Sequence, residues 1–291
     1  MPFILSLKND STGASISVGL TDAQIAALVA TQPPATTTPP PATTPPPVTS
    51  PAPSAIAPTG VPGNWKLIFA DEFDKPALDT SKWVPGWFAA SGLTPAVNAD
   101  ICVNVFDSAQ VSILNGELHI TAVAKPATLG GKNYPVRSGI VSSNGKFSFV
   151  HGCFEARMWL PAGSGLWPAW WADGQNWPAD GEIDVLESSG ADNSTAVHYH
   201  YPGGGPGKTV PVPGSTAGWH TYAADWEPGV ITFYYDGKVV WTVKDGDVIG
   251  GAKVTITSSP LYLILNLQVQ SVNAPLPATM RVQYVRVWSR A

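Results

Sequence analysis

The chain has 291 residues, a formal net charge of −5 and only 13% charged residues, about half the roughly 25% usual in soluble proteins. An acidic chain without clustered Lys and Arg is not expected to bind nucleic acid, because phosphate contacts need such clusters. No stretch approaches the roughly 20 apolar residues of a transmembrane helix, so no membrane span is expected. The 12 Trp residues favour a neutral ligand that carries rings.

Three segments differ in composition. Residues 1–31 are short and mixed, with a predicted strand over residues 3–7 and a capped helix start at Thr21. This piece is a tag, an oligomerisation element or a remnant, and the sequence does not choose between them. Residues 32–60 are almost entirely Pro, Thr and Ala, which predicts an extended linker. Residues 61–291 form the globular part.

The globular part alternates short apolar runs with Gly, Pro, Asn and Asp turns. Two hairpins and two further strands are predicted, at residues 111–122, 230–241, 261–269 and 280–288. The turns of the two hairpins are Asn115-Gly116 and Asp236-Gly237, which are the strongest short-range hairpin signals. Because no long helical periodicity is present, the pattern predicts an all-β fold, an antiparallel β-sandwich or jelly roll.

Two cysteines are present, Cys102 and Cys153. One disulfide and two free buried thiols are both compatible with this number. A Cys/His zinc site is not expected, because there is no close Cys pair. The N-terminus lacks a basic region and an Ala-x-Ala-like cleavage site, so no ordinary secretion signal is visible.

One segment, GEIDVLE at residues 181–187, concentrates acidic residues. In a regular strand Glu182 and Asp184 share one face, and the apolar residues between them share the other. Glu187 lies an odd number of positions from Glu182, so a regular strand would point it into the apolar face. A β-bulge at Val185-Leu186 would return it to the acidic face. The segment therefore predicts a bulged strand with three acids on one surface.

This spacing has a chemical meaning. With the bulge, the Cα atoms of Glu182 and Glu187 lie roughly 13 Å apart at ~3.3 Å per rise. Two Glu side chains that lean together across a concave sheet could bring their carboxyls to about 5–5.5 Å, as in a retaining glycosidase. Asp184 between them can hold their protonation states apart. From spacing alone, a calcium site and a plain solvated face stay open as alternatives.

Aromatic residues flank the acidic segment. Upstream lie GLWPAWW at residues 165–171 and then Trp177. Aromatic faces stack on the apolar faces of sugar rings, which favours carbohydrate over calcium. Downstream, His198 and His200 alternate with two Tyr residues on the next predicted strand, so either His could face a cleft, with both Tyr on the reverse side.

Together these segments resemble glycoside hydrolase family 16, the laminarinase and lichenase group, whose bulged Glu-x-Asp-x-x-Glu signature matches Glu182, Asp184 and Glu187. Other blocks agree in order, at residues 65–73, 78–83, 138–139, 152–157, 167–169, 219–226, 233–237, 263–267 and 282–288. The resemblance covers roughly residues 64–289.

The resemblance implies a concanavalin-like β-jelly roll with a concave substrate cleft and a retaining mechanism. Glu182 would be the nucleophile, Glu187 the acid/base and Asp184 the assisting carboxylate. Candidates for substrate binding are Arg157, Trp167, Trp170, Trp171, Trp177, His198, His200 and Asn266. No cofactor and no metal are expected. Gln283 stands where family members that bind a structural calcium carry Asp, which argues against calcium there.

The expected function is endo-acting hydrolysis of a polysaccharide, a β-1,3- or mixed β-1,3/1,4-glucan. A transglycosylase, a galactan hydrolase of the same fold and an inactive glycan-binding module stay open as alternatives. The protein is expected to be a monomer whose partner is the polysaccharide. The linker and the substrate class predict a location outside the cell or at its surface, although no signal peptide is visible.

Overall fold

The computed structural model describes residues 3–8, 15–20, 57–87, 92–190, 194–212, 215–216 and 218–291. The chain divides into two compact units, Met1–Ser50 and Pro51–Ala291. The predicted helix start at Thr21 and nearly all of the predicted linker lie outside the described residues. Within the described part, no helix has the length and apolar character needed to cross a membrane.

The first unit contains one hairpin of two antiparallel strands, β1 (Phe3–Lys8) and β2 (Ser15–Leu20). Their register pairs Phe3 with Leu20 and Lys8 with Ser15. The strand predicted over residues 3–7 is therefore confirmed.

The second unit is built from strands, and its described residues contain no α-helix, only a single 3-10 turn at Ser108–Gln110. In chain order the strands are β3 (Trp65–Asp71), β4 (Leu93–Pro95), β5 (Asn104–Asp107), β6 (Val111–Leu114), β7 (Glu117–Ala122), β8 (Ala127–Leu129), β9 (Lys132–Tyr134), β10 (Val136–Ser138), β11 (Ile140–Ser142), β12 (Gly152–Trp159), β13 (Leu166–Asp173), β14 (Glu182–Glu187), β15 (Ser194–His200), β16 (Gly207–Pro211), β17 (Trp219–Glu227), β18 (Val230–Tyr235), β19 (Lys238–Lys244), β20 (Val248–Ile249), β21 (Ala252–Lys253), β22 (Tyr262–Val269) and β23 (Ala278–Arg290).

Two large antiparallel sheets form the body of this unit. One has the order β19-β18-β17-β12-β23-β7-β6, with β3 also paired to β23, and the other has the order β11-β22-β13-β14-β15-β16. One hydrophobic cluster joins their inner faces, and within it the rings of Phe154 on β12 and Trp170 on β13 lie 5.6 Å apart. The predicted antiparallel sandwich of the jelly-roll type is confirmed.

Smaller pairings surround this sandwich. The three-stranded sheet β10-β5-β4 includes the parallel pair β10 and β5. The pairs β8 with β9 and β20 with β21 are short hairpins.

Local turn chemistry fixes the two predicted hairpins. Asn115 and Gly116 have φ of 55° and 74°, and Asp236 and Gly237 have φ of 46° and 72°. Two consecutive positive φ values are what a tight turn between right-twisted strands requires, and Asn, Asp and Gly tolerate them best. Both hairpins and the strands predicted near residues 261–269 and 280–288 are present.

The two cysteines lie apart in the structure. Cys102 and Cys153 are both buried free thiols. Of the two arrangements that the sequence left open, the structure has two unpaired thiols, and burial raises the pKa of Cys102 to about 12.

Candidate active site

The acidic strand β14 carries the predicted bulge. Against β13, Asp184 pairs with Trp171 and Leu186 pairs with Trp170, so Val185 is an extra residue on β14. Against β15, the same shift falls between Asp184 and Glu187. The bulge is confirmed at Val185-Leu186, and it restores Glu187 to the face of Glu182 and Asp184.

The residues between the acids anchor this strand. Ile183, Val185 and Leu186 are at most 2% exposed and belong to the main hydrophobic cluster. Burial of three apolar side chains beneath the acids holds the strand in one register, because a slip by one residue would drive carboxylates into the core.

Ladder pairing across three strands arranges the acids in rows. One row is Asp173, Glu182 and His200, and the next is Trp171, Asp184 and His198. Directly opposite residues share a face and have Cβ atoms about 4.5–5.5 Å apart. Both His therefore lie on the acidic face, while Tyr199 and Tyr201 are buried in the core on the reverse face, as the alternation predicts.

Glu187 is held through both of its carboxylate oxygens. Trp167 donates from Nε1 to Oε1 at 2.9 Å. His198 Nδ1 lies 2.6 Å from Oε2, and either atom can carry the proton of that hydrogen bond, depending on the tautomer. These two contacts fix the direction in which Glu187 presents its carboxyl group.

Glu182 and Asp184 form a pair at the other end of the strand. Trp177 donates a hydrogen bond from Nε1 to Glu182 Oε2. Asp184 is only 3% exposed, and His200 Nε2 lies 3.3 Å from its Oδ2. That oxygen has no hydrogen-bond partner among the described residues.

Burial makes the surroundings of Glu182 and Asp184 unfavourable for negative charge. Burial, and then the charge of Asp184, raise the pKa of Glu182 well above its usual range. Burial, and then the charge of Glu187, raise the pKa of Asp184. Two crowded carboxyls resist losing both protons, since like charges close together cannot both ionise cheaply.

The remaining predicted residues fall into two groups. Trp167 and Trp171 line the cleft, with Trp171 donating from Nε1 to Asn266 Oδ1 at 2.8 Å, and Trp177 is 60% exposed at the Glu182 end. The structure brings these residues, Asn266 and both His to the acids.

Trp170 and Arg157 lie elsewhere. Trp170 is fully buried in the sandwich core, because it alternates with Trp171 along β13. Arg157 is on β12 in the other sheet, where it donates to Gln283 and lies 5.7 Å from the ring of Trp219. The structure therefore corrects the prediction that these two side chains belong to the cleft.

Three cleft residues were missed from the sequence. Gln268 and Asn98 line the cleft beside Asn266, and the backbone N–H of Asn98 donates to Gln268 Oε1 at 3.1 Å. Asp173 is 3% exposed beside Glu182, and burial, then the charge of Glu182, raise its pKa to about 7. Alternation from Asn266 to Gln268, and from Trp171 to Asp173, would have found two of them.

The same side chains have a geometry that suits a cation. Glu182, Asp184 and His200 place ligand atoms within 4.8 Å of one another, and so do Asp184, Glu187 and His198. Carboxylate and imidazole groups are ligands for several divalent metals.

The strand order, the bulge and the acid row agree with one protein family. Its model, glycosyl hydrolases family 16, matches residues 104–289. The chain belongs to this family. The family 16 resemblance drawn from the acidic strand is thereby confirmed.

Relatives and solved structures extend the comparison. The chain is 32% identical over 265 residues to glucan endo-1,3-beta-glucosidase A1 of Niallia circulans, covering 76% of this chain and 37% of that protein. It is 30% identical over 256 residues to a beta-glucanase of Rhodothermus marinus, covering 77% and 85%. The endo-beta-1,3-glucanase structure from Pyrococcus furiosus matches with a TM-score of 0.71 at 28% identity, covering 81% and 99%.

These relatives differ in length. The chain spans only 37% of the Niallia protein and 48% of the endo-1,3-1,4-beta-glycanase ExsH of Rhizobium meliloti. What these longer proteins do as wholes is therefore not transferred to this chain as a finding.

Proposed function

We propose that this family 16 chain is a retaining, endo-acting hydrolase of a β-1,3- or mixed β-1,3/1,4-glucan. The observation that carries the proposal is the bulge at Val185-Leu186, which puts Glu182, Asp184 and Glu187 on one face of the sheet. The names of the relatives from Niallia, Rhodothermus and Rhizobium support the substrate class.

Glu182 is the nucleophile of this mechanism. The pair of Glu182 and Asp184 retains one proton; with that proton on Asp184, the Glu182 carboxylate attacks the anomeric carbon and forms a glycosyl ester as the bond to the leaving oxygen breaks. The Trp177 indole N–H and the neighbouring Asp184 orient the attacking group from two sides. Asp184 is the assisting carboxyl, because it is too buried to reach a sugar carbon itself.

Glu187 is the acid/base. It gives a proton to the leaving oxygen and then takes one from the water that hydrolyses the ester. Trp167 holds one oxygen, and His198 shares a proton with the other. Loss or gain of the catalytic proton therefore takes place within a carboxyl group of fixed orientation.

Aromatic and amide groups bind the chain of sugars. The exposed ring of Trp177 offers a face for the apolar side of a sugar beside Glu182, and Trp171 holds Asn266 in place through its indole N–H.

The proposal includes three further expectations. The reaction needs no cofactor, because two carboxyls supply both nucleophile and proton. The protein works as a monomer. Its place is outside the cell or at the cell surface, where a polymeric glucan is found.

Two substitutions test the catalytic roles. Glu182→Gln and Glu187→Gln should each lower kcat on laminarin by at least about a thousandfold, with unfolding midpoints close to that of the unmodified protein. Glu227→Gln, on the other sheet, is the matched control and should keep full activity. Full activity in either cleft variant would refute the mechanism.

Azide separates the two roles. With Glu182→Ala, azide should replace the nucleophile and yield an α-glycosyl azide from an activated β-glucoside. With Glu187→Ala, azide should intercept the glycosyl ester and yield the β-anomer. The reverse pattern would exchange the assignments, and a first product of inverted configuration from the unmodified protein would exclude retention.

A substrate panel tests the alternatives. Laminarin, mixed-linkage β-glucan, xyloglucan, agar and carrageenan would be incubated with the protein in EDTA, and products followed by mass. Internal cleavage of the first two alone is the expected result. Cleavage of agar or carrageenan would indicate a galactan hydrolase, lengthened products a transglycosylase, and binding without cleavage a glycan-binding module.

A further inference from the structure

The Glu182 end of the cleft contains an arrangement that sugar hydrolysis does not require. His200 Nε2 faces Asp184 Oδ2 at 3.3 Å, and this oxygen has no hydrogen-bond partner among the described residues. Asp184 is only 3% exposed, so water has little access to that oxygen. A buried oxygen without a hydrogen-bond partner points to a ligand that Glu182, Asp184 and His200 could share.

The distance between the two atoms matches one coordination geometry. A tetrahedral zinc ion with bonds of about 2.0–2.1 Å places neighbouring ligand atoms about 3.3–3.4 Å apart. The His200 Nε2 to Asp184 Oδ2 distance of 3.3 Å fits that spacing. Glu182 completes the set, since one ligand atom from each of the three residues can be chosen so that all three lie within 4.8 Å of one another.

The histidine ring is already oriented for this task. A Cβ added at Gly205 would lie 2.3 Å from His200 Nδ1, so the Nδ1 side of the ring packs directly on the glycine backbone. Nε2 is therefore the nitrogen that faces the acids. Packing that fixes a ligand's orientation increases metal affinity.

The second group of possible ligands is less suitable. In Asp184, Glu187 and His198, Trp167 and His198 already occupy the two oxygens of Glu187. A metal that bound an oxygen of Glu187 would displace one of these contacts, whereas Glu182 accepts the Trp177 hydrogen bond through Oε2 alone.

We propose that Glu182, Asp184 and His200 form a binding site for Zn²⁺ that leaves the fourth ligand position open toward the cleft. This departs from the expectation of no metal site drawn from the sequence. Calcium is excluded as the occupant because it takes six to eight oxygen ligands and seldom imidazole. A zinc ion bound here would coordinate the carboxylate of Glu182, which is the nucleophile of the proposed function. Zinc therefore competes with the glucan and inhibits hydrolysis.

Calorimetric titration of the full chain with zinc chloride, after dialysis against EDTA and then metal-free buffer, tests the site without reference to catalysis. The unmodified protein should bind one Zn²⁺. His200→Ala should weaken binding at least about 100-fold, because it removes one of three ligands, and His198→Ala is the matched control that should retain it. Calcium chloride should give no heat of binding.

A second variant leaves all three ligands in place. Gly205→Ala pushes the His200 ring from its position and should weaken zinc binding about tenfold, while circular dichroism checks the fold. Absence of zinc binding by the unmodified protein, equal binding in His200→Ala, or loss in His198→Ala alone would each overturn the site. None of these results bears on hydrolysis measured in EDTA, so the proposed function is tested separately.

Discussion

Asp173→Asn tests the electrostatics of the cleft through protein stability. Asp173 is 3% exposed beside Glu182, and Tyr262 donates to its Oδ2 at 3.3 Å. Asparagine has nearly the same shape and can still accept that hydrogen bond, but it carries no charge. The substitution therefore removes the cost of burying a negative charge beside Glu182.

The size of the effect follows from the pKa. Burial, and then the charge of Glu182, raise the pKa of Asp173 from 3.8 to about 7. A carboxyl whose pKa is raised by folding contributes stability that is complete below about pH 4 and is lost as the pH rises to about 7. At roughly 1.4 kcal/mol per pH unit the loss is roughly 4 kcal/mol at pH 8, and about 1–2 kcal/mol at pH 5.

Urea unfolding in EDTA at pH 5 and pH 8 measures this difference. Asp173→Asn should exceed the unmodified protein in free energy of unfolding by roughly 4 kcal/mol at pH 8 and by about 1–2 kcal/mol at pH 5. Asp74→Asn, at an exposed aspartate, is the control. It should change the free energy of unfolding by the same small amount at pH 5 and pH 8. A gain for Asp173→Asn that is equal at pH 5 and pH 8 would refute the reasoning.

Five further variants test the sheet and the cleft. Trp170→Ala should lower the free energy of unfolding by about 3–5 kcal/mol because it empties a buried site, whereas Trp177→Ala should raise KM with little loss of stability, as chemical denaturation and initial rates would show. Trp167→Phe should lower kcat about tenfold or more by removing a donor to Glu187. Arg157→Ala should leave kcat and KM on laminarin unchanged, since it lies on the other sheet. Deletion of Val185 should retain activity, because regular alternation then keeps the acids on one face, at a cost in stability of about 1.5–3 kcal/mol.

Local patterns were sufficient for the fold class. Turn residues with positive φ and runs of alternating apolar residues are short-range properties, so both predicted hairpins could be located without knowledge of their neighbours. The acidic segment also constrained its own geometry. Three acids around an apolar pair can share a face only with a bulge, and the bulge is where the spacing placed it.

The limits of the prediction lie in the side chains that meet across strands. Trp170 and Trp171 are neighbours in a run of aromatic residues, yet one is core and the other cleft, because alternation sends them to opposite faces of β13. Arg157 came from the family resemblance, and only the pairing of β12 with β17 and β23 put it on the other sheet.

The sequence by itself therefore determined several strands, two tight turns, the family and the bulged acidic strand, because each depends on residues close together in the chain. Tertiary structure alone decided which distant side chains reach the acids. The contacts of Trp167 and His198 with Glu187, of His200 with Asp184, and of Asp173 with Glu182 all depend on the register between β13, β14 and β15. Register is a property of strand pairing, and it is set by the burial of whole faces rather than by any one segment.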